Sequence, residues 1–434
     1  MIRIPILSRL TLSDYWHLCI TFGLLVVEWL VRLVAIVIPM KSWWWRKEKS
    51  GRMKARKGRE NLREMVEALG YGLEEHLVVT QDGFVLGLQR ILSPPATGVP
   101  PSPSSSSMSI AAAHNTRPPI LMLAGCMLNS EVWFCHEHAE DNLPLHLTQQ
   151  GYDVWCMNRR GSKYSPKHLS KTPREEAYWD YCLDDIALYD LPSVIRRVLE
   201  VTGYKNLTLV GFSQGSAEIL AYLALHSLDR YVNLAVCLGA MTKPMGMRHA
   251  TIRSLVHLAP QLLFLVFGRK AMLASVPFWI STLPAPLYAR LIRRSLWELF
   301  GWRCLNIKSG EDEERMFAHL YSYCSVKTIV HWFQMMRAGS FQMYSAAPQE
   351  DLGHVPSRYP LESICTPVVV FYGAQDTLCD PAYTRRHLGK RMVAEHCVEG
   401  YEHLDFLFAH DASQRVFPLI TTELQKLKRR RKKQ

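Results

Sequence analysis

The spacing of apolar residues changes several times along the first hundred positions, and each spacing predicts a different element. Residues 15–39 read YWHLCITFGLLVVEWLVRLVAIVIP and are almost continuously apolar. About 20 such residues suffice to cross a bilayer. Glu28 and Arg32 interrupt the run four residues apart, where one helix face lets them pair. Charges at membrane depth are costly, so the pattern predicts a membrane segment that either spans or half-inserts. Trp16, Trp29 and the run Trp43-Trp44-Trp45 suit the interface on either side. From Asn61 the pattern becomes that of a folded domain. NLREMVEALGY predicts a short helix. HLVVTQDGFVLGLQRI predicts a hairpin, two β-rich runs around Gln81-Asp82-Gly83.

Residues 93–119 are rich in Pro and Ser and carry too little apolar surface to bury, which predicts a disordered loop. Beyond it, short apolar runs alternate with amphipathic ones. ILMLAG, YDVWCMN, LTLVGF, LAVCLGA and PVVVFYG are strand-like. DIALYDLPSVIRRVLEVTG and SAEILAYLALHS are helical, the first with a glycine stop. This succession predicts an α/β fold with a mostly parallel central sheet flanked by helices. Between about 241 and 345 the alternation fails, while Trp, Phe, Met and Leu accumulate. That stretch predicts a helical cap over the C-terminal edge of the sheet. The chain thus divides into an N-terminal membrane anchor with its basic flank, 1–60, and one folded α/β domain, 61–430.

Charge and cysteine content sharpen the topology. The 434 residues carry a formal net charge of +12. Much of it lies in Lys41, Arg46, Lys47, Lys49, Arg52, Lys54, Arg56, Lys57 and Arg59, whereas only Arg3 and Arg9 precede the apolar run. The positive-inside bias puts the domain in the cytosol, and the basic flank attracts anionic lipid. The 11 cysteines show no paired spacing and read as reduced thiols. No glycine-rich nucleotide loop and no convincing metal set is present. Cys135-His136-Glu137-His138 reads as a loop histidine pair. The sequence implies no cofactor, and no nucleic acid as partner.

The sharpest motif is Gly211-Phe212-Ser213-Gln214-Gly215, a G-x-S-x-G between a strand and a helix. In that context the serine sits on a tight turn with its hydroxyl exposed, at a helix N-terminus that favours developing negative charge. Such a nucleophile needs a base and a group to orient the base, in chain order Ser, acid, His. Asp376 follows the strand PVVVFYG, with Asp380 and Asp405 as rivals. His403, in Gly400-Tyr401-Glu402-His403-Leu404-Asp405, is the candidate base, with His396 and His410 as rivals. Acyl transfer also needs an oxyanion hole. The N–H of Gln214 is one expected donor, and the loop at Gly125-Cys126 supplies the other.

Taken together, HLVVTQDGFVLGLQRI, GYDVWCMNRRGSKYSPKH, YWDYCLDDIALYDLPSVI, VGFSQGSAE, SVKTIVHWFQMMRAGSFQMY and YEHLDFLFAHDA resemble the acid lipase family of α/β-hydrolases. The likeness covers about 61–415 apart from the Pro/Ser loop, and is strongest to the family's fungal membrane-anchored branch, the steryl ester hydrolases of lipid droplets. It implies Ser213, Asp376 and His403 as the triad and Gln214 and Cys126 as oxyanion donors. One departure stands out. The family usually has His-Gly-Leu where this chain has Ala124-Gly125-Cys126, a change that keeps a backbone donor. The implied substrate is a steryl ester or an acylglycerol, met at a lipid-droplet or endoplasmic reticulum membrane. A triacylglycerol lipase, an acyltransferase and an inactive droplet scaffold are the alternatives.

Overall fold

The computed structural model describes residues 60–94, 117–227, 230–346 and 356–431. The expected membrane segment at 15–39, its basic flank and most of the Pro/Ser-rich loop lie outside these residues. Among the described residues no helix is long and apolar enough to cross a membrane.

Eleven strands are present among them: β1 (Gly72–Val79), β2 (Phe84–Leu92), β3 (Pro119–Leu123), β4 (Asp153–Met157), β5 (Lys167–His168), β6 (Leu207–Phe212), β7 (Val232–Leu238), β8 (Ala271–Met272), β9 (Cys324–Ser325), β10 (Val368–Gly373) and β11 (Met392–Val398). The helices that matter below are α1 (Leu62–Ala68), α2 (Leu191–Thr202), α3 (Gln214–Leu225), α4 (Pro260–Phe267), α5 (Ala285–Phe300), α6 (Val326–Ala338), α7 (Pro381–Leu388) and α8 (Phe417–Arg431). The main sheet runs β1-β2-β4-β3-β6-β7-β10-β11, with β5 beside β2. It is parallel from β4 to β11 and antiparallel at the β1/β2 hairpin and the β2/β4 step.

The strands follow from their sequences. Every residue of β3, β4 and β6 is buried, as strands covered on both faces require. Helix α2 buries Leu191, Val194, Ile195 and Val198, one face at helical spacing. It stops at Gly203, whose φ of 72° is the left-handed cap that glycine adopts without strain. One detail departs from the periodic pattern, which predicts a continuous helix from Asp185. Residues Ile186–Asp190 form a π turn closed by the Leu191 N–H on the Ile186 carbonyl. Pro192 has no N–H to give an α-helical bond, and a widened turn before it is one way to accommodate that loss.

The stretch between β7 and β10 is mostly helical, with the short antiparallel β8/β9 pair inside it. Its apolar side chains divide into two groups. Tyr288, Ile292, Leu296, Trp302 and Phe317 join the main core. Leu255, Leu263, Val326, Val330 and Phe333 form a second, smaller core with α4 and α6. The first group brings the loop 301–306 against the C-terminal edge of the sheet, where the candidate site lies.

Candidate active site

Ser213 sits between β6 and α3 with φ 56° and ψ −119°. For a residue with a Cβ this is strained backbone, worth roughly 1–3 kcal/mol. The flanking glycines serve space and not torsion. A Cβ on Gly211 would lie 2.6 Å from the Ser216 nitrogen, and one on Gly215 would lie 2.4 Å from the Leu123 carbonyl. Only glycine lets α3 pack this close to β3 and β6, so the serine alone takes the positive φ.

His403 and Asp376 form a buried dyad. His403 Nδ1 lies 2.7 Å from Asp376 Oδ2, and Asp376 Oδ1 accepts from the Leu378 N–H at 2.9 Å. Burial acts to raise the Asp376 pKa. The imidazole and the backbone donor outweigh it and hold the carboxyl below its ordinary value. The His403 ring lies between Phe212 at 4.9 Å and Trp302 at 5.3 Å, stacked on the latter at 17°. Gly239 borders the dyad, and a Cβ there would sit 3.1 Å from His403 Cε1. A carboxylate on one imidazole nitrogen fixes the tautomer and leaves Nε2 as the working atom. That atom is buried and has no partner among the described residues.

The loop after β3 lies against Ser213, since a Cβ on Gly125 would be 3.1 Å from Ser213 Cβ. A buried arginine holds it there. Arg159 donates from Nη1 to the Gly125 carbonyl at 2.8 Å and from Nη2 to the Ala124 carbonyl. Its Nε meets Glu218 Oε1 on α3 at 2.5 Å. Gln214 completes the set, donating to Glu218 at 2.7 Å and accepting from the Trp332 indole of α6 at 2.6 Å. One guanidinium therefore ties the Cys126 loop to the helix that begins at Gln214. Burial pushes the Glu218 carboxyl up, against the opposing pull of Arg159 and Gln214. Arg159, Glu218 and Trp332, unlike Gln214, are not among the sequence candidates. Arg159 stood in the quoted motif NRRGS and Glu218 in SQGSAE, but nothing in either motif names a partner.

The rival residues have other occupations. Asp380 caps α7, accepting from the Tyr383 N–H at 2.9 Å, and pairs with Lys243. Asp405 Oδ2 accepts from the Glu402 N–H at 2.6 Å and from Asn306 at 2.8 Å, bracing the His403 loop. His396 stacks on Phe371 and pairs with Glu423, and His410 bonds the Asn306 carbonyl. Cys135 and His136 spend their polar atoms on the carbonyls of Glu131 and Leu407. Glu402, a second residue the motif did not single out, accepts from the N–H groups of Arg303 and Cys304 at 2.8 and 2.7 Å. It fastens the cap loop to the loop that carries His403.

A parallel sheet with a strained serine at a strand-to-helix turn, and an acid and a histidine on later loops, defines an α/β-hydrolase. Comparison with known proteins agrees. Residues 118–409 match the family model described as alpha/beta hydrolase fold, and 62–137 match a partial alpha/beta-hydrolase lipase region. A Schizosaccharomyces pombe protein named as a probable lipase is 34% identical over 98% of this chain and 93% of its own length. Rat gastric triacylglycerol lipase is 27% identical over 82% of this chain and 89% of its own. A carboxylesterase structure from Bacillus subtilis, at 13% identity, covers 84% of this chain and 94% of its own with a TM-score of 0.44. The chain belongs to the lipase family of α/β-hydrolases and is a carboxylic ester hydrolase.

Proposed function

We propose that the protein cleaves steryl esters to free sterol and fatty acid through an acyl-enzyme, with Ser213 as nucleophile, His403 as base and Asp376 as its orienting acid. The observation that carries this reading is the buried His403–Asp376 pair beside a serine held at φ 56°. Ser213 Oγ attacks the ester carbonyl while His403 Nε2 takes its proton. The oxyanion forms at the N–H groups of Gln214 and Cys126, at the start of α3 and in the loop gripped by Arg159. Collapse expels the sterol, which leaves with the proton from His403, and water repeats the sequence on the acyl-serine. Asp376, held low, stays ionised throughout and steadies the imidazolium.

The steryl ester reading rests on the resemblance to the fungal anchored branch. The similarity to a gastric triacylglycerol lipase favours acylglycerols as the second reading. The apolar cap suits either water-insoluble substrate. Action at a lipid-droplet or endoplasmic reticulum membrane, with the domain on the cytosolic side, is supported by the apolar run 15–39, its basic flank and the free thiols of the described cysteines.

The test is direct. Full-length protein is assayed on cholesteryl or ergosteryl oleate beside trioleoylglycerol, with fluorophosphonate labelling in parallel. Preferential release of sterol from a labelled enzyme supports the proposal. Preference for trioleoylglycerol selects the second reading, and a chain that does not label is not a serine hydrolase. Removal of residues 1–60 should free the protein from membranes while sparing hydrolysis of a short soluble ester. A truncated chain that stays bound through salt and carbonate washes would place the anchor elsewhere.

A further inference from the structure

A cavity of about 690 Å³ opens where the cap meets the His403 loop. Gln375 and Thr377, which bracket Asp376, and Glu402, the neighbour of His403, form part of its wall, whereas Ser213, Gln214, Cys126 and His403 do not line it. Phe300 separates it from the dyad. The Phe300 ring stacks on Trp302 at 4.3 Å, and Trp302 stacks on the His403 imidazole at 5.3 Å. The cavity therefore lies behind the dyad, two rings from the imidazole and outside the site that holds Ser213.

Its chemistry differs from that of an ester pocket. The Arg248 guanidinium lies 3.8 Å over the Trp297 ring, and that of Arg303 lies 5.8 Å from the same ring. Neither guanidinium has a carboxylate partner among the described residues. Glu402, the acid in the wall, is occupied by the two backbone N–H groups of the cap loop. Two like charges gathered on one indole repel each other, and the ring offsets this only in part. An anion placed between them removes the repulsion and gains charge-assisted hydrogen bonds. Beside the arginines, Met245 is 62% and Leu305 74% exposed. Arg248 also donates to the Trp297 carbonyl at 3.3 Å, and exposed apolar side chains next to cations with no carboxylate partner among the described residues fit a ligand that is anionic at one end and hydrocarbon at the other.

We propose that this cavity binds one anionic amphiphile, its carboxylate or phosphate held by Arg248 and Arg303 and its chain laid along Met245 and Leu305. A fatty acid and a phosphate-bearing lipid share that chemistry. The site is inferred from the cavity alone, and only the thought that a released fatty acid fills it rests on the proposed hydrolysis. An occupant bears on Phe300, and through Trp302 on His403, so it alters turnover without competing at Ser213.

The experiment uses the full chain, first labelled at Ser213 with a fluorophosphonate so that the ester site is blocked. Calorimetric titration then compares dodecanoate, dodecyl phosphate and dodecanol below their micellar concentrations. One equivalent of dodecanoate or dodecyl phosphate should bind, the tighter of the two naming the source, with dodecanol at least about tenfold weaker, as charged hydrogen bonds of ~1.5–3 kcal/mol imply. Arg248→Gln/Arg303→Gln and, separately, Leu305→Asp, all at exposed positions, should each weaken the anion by at least about tenfold. In unlabelled enzyme the same anion should change the rate on a short soluble ester non-competitively, and the double variant should lose the effect at an unchanged basal rate. Equal binding of dodecanol, anion binding unaltered in the double variant, or purely competitive kinetics would overturn the proposal. Labelled protein that binds no anion sinks the cavity and leaves the hydrolase reading standing. Anion binding by a chain that does not label has the opposite meaning.

Discussion

The Ser213 hydroxyl donates to the sulfur of Met241 at 3.1 Å, and not to His403. Met241 follows the turn after β7 and is itself buried. The serine hydroxyl is therefore parked on a weak acceptor, while His403 Nε2 has no partner among the described residues. In the proposed reaction Oγ leaves the thioether and swings to the imidazole. Met241→Leu keeps the volume and removes the acceptor. Fluorophosphonate labelling and kcat/KM on a soluble ester should stay equal or rise up to about fivefold, since the lost bond is worth no more than about 1 kcal/mol. A fall of tenfold or more in a folded variant would show that the sulfur takes part in the reaction. Ser213→Ala should not label at all.

Asp376 and Asp380 separate the orienting acid from a structural one. Asp376→Asn should lower kcat by roughly 10⁴-fold, because the amide favours the wrong tautomer of His403. Asp380→Asn keeps an acceptor for the Tyr383 N–H and loses only the Lys243 pair. Its activity should remain within about threefold and its stability within about 1 kcal/mol of the parent. The opposite ranking in steady-state assays would exchange their roles.

Arg159 should matter to stability and turnover together. Arg159→Met leaves Glu218 buried without its cation and the Ala124 and Gly125 carbonyls without their donor. Breaking a buried pair in this way costs about 3–5 kcal/mol. Chemical denaturation should register that loss, and the folded fraction should show reduced kcat as the Cys126 loop relaxes. Arg159→Met with Glu218→Met should recover much of the stability and little of the rate. Full recovery of both would mean that the arginine does not position the loop.

Asp405 supplies a pH test. Burial pushes its carboxyl up to about 6, against the Asn306 and Glu402 N–H bonds that favour the charged form. A carboxyl whose folded pKa exceeds its unfolded value of about 3.9 binds more protons in the native state. Its stabilising contribution is therefore largest below the unfolded pKa and is lost as pH rises through about 6. Asp405→Asn removes this dependence and keeps one acceptor oxygen. Melting temperatures measured from pH 4.5 to 7.5 should fall less steeply with pH in the variant, with ester hydrolysis largely retained. An unchanged slope would show that Asp405 does not titrate in that range.

Much of this protein is legible in its residues because the relevant signals are local. The apolar runs that become β3, β4, β6, β7 and β10, the G-x-S-x-G turn and the immediate contexts of Asp376 and His403 depend on spacing within a few positions. Spacing likewise separates the cap, where strand–helix alternation ends, from the sheet. Pairing across the fold has no such signal. Nothing along the chain tells that Arg159 reaches back to Ala124 and forward to Glu218, that Glu402 accepts from the cap loop, or that Asp376 meets His403 while Asp405 bonds the Glu402 N–H and Asn306. Those choices are made when the parallel strands β4, β3, β6, β7 and β10 end along one edge of the sheet and bring distant loops together. Buried charges and N–H groups must then find whichever partners the packing leaves within hydrogen-bond reach. Local pattern suffices for the long buried strands and for a short list of candidate site residues, but it is silent on the two-residue strands β5, β8 and β9 and on the π turn at Ile186–Asp190. Tertiary structure alone decided which of the candidate acids and histidines meet, because a hydrogen bond acts over about 3 Å in space and takes no account of separation along the chain.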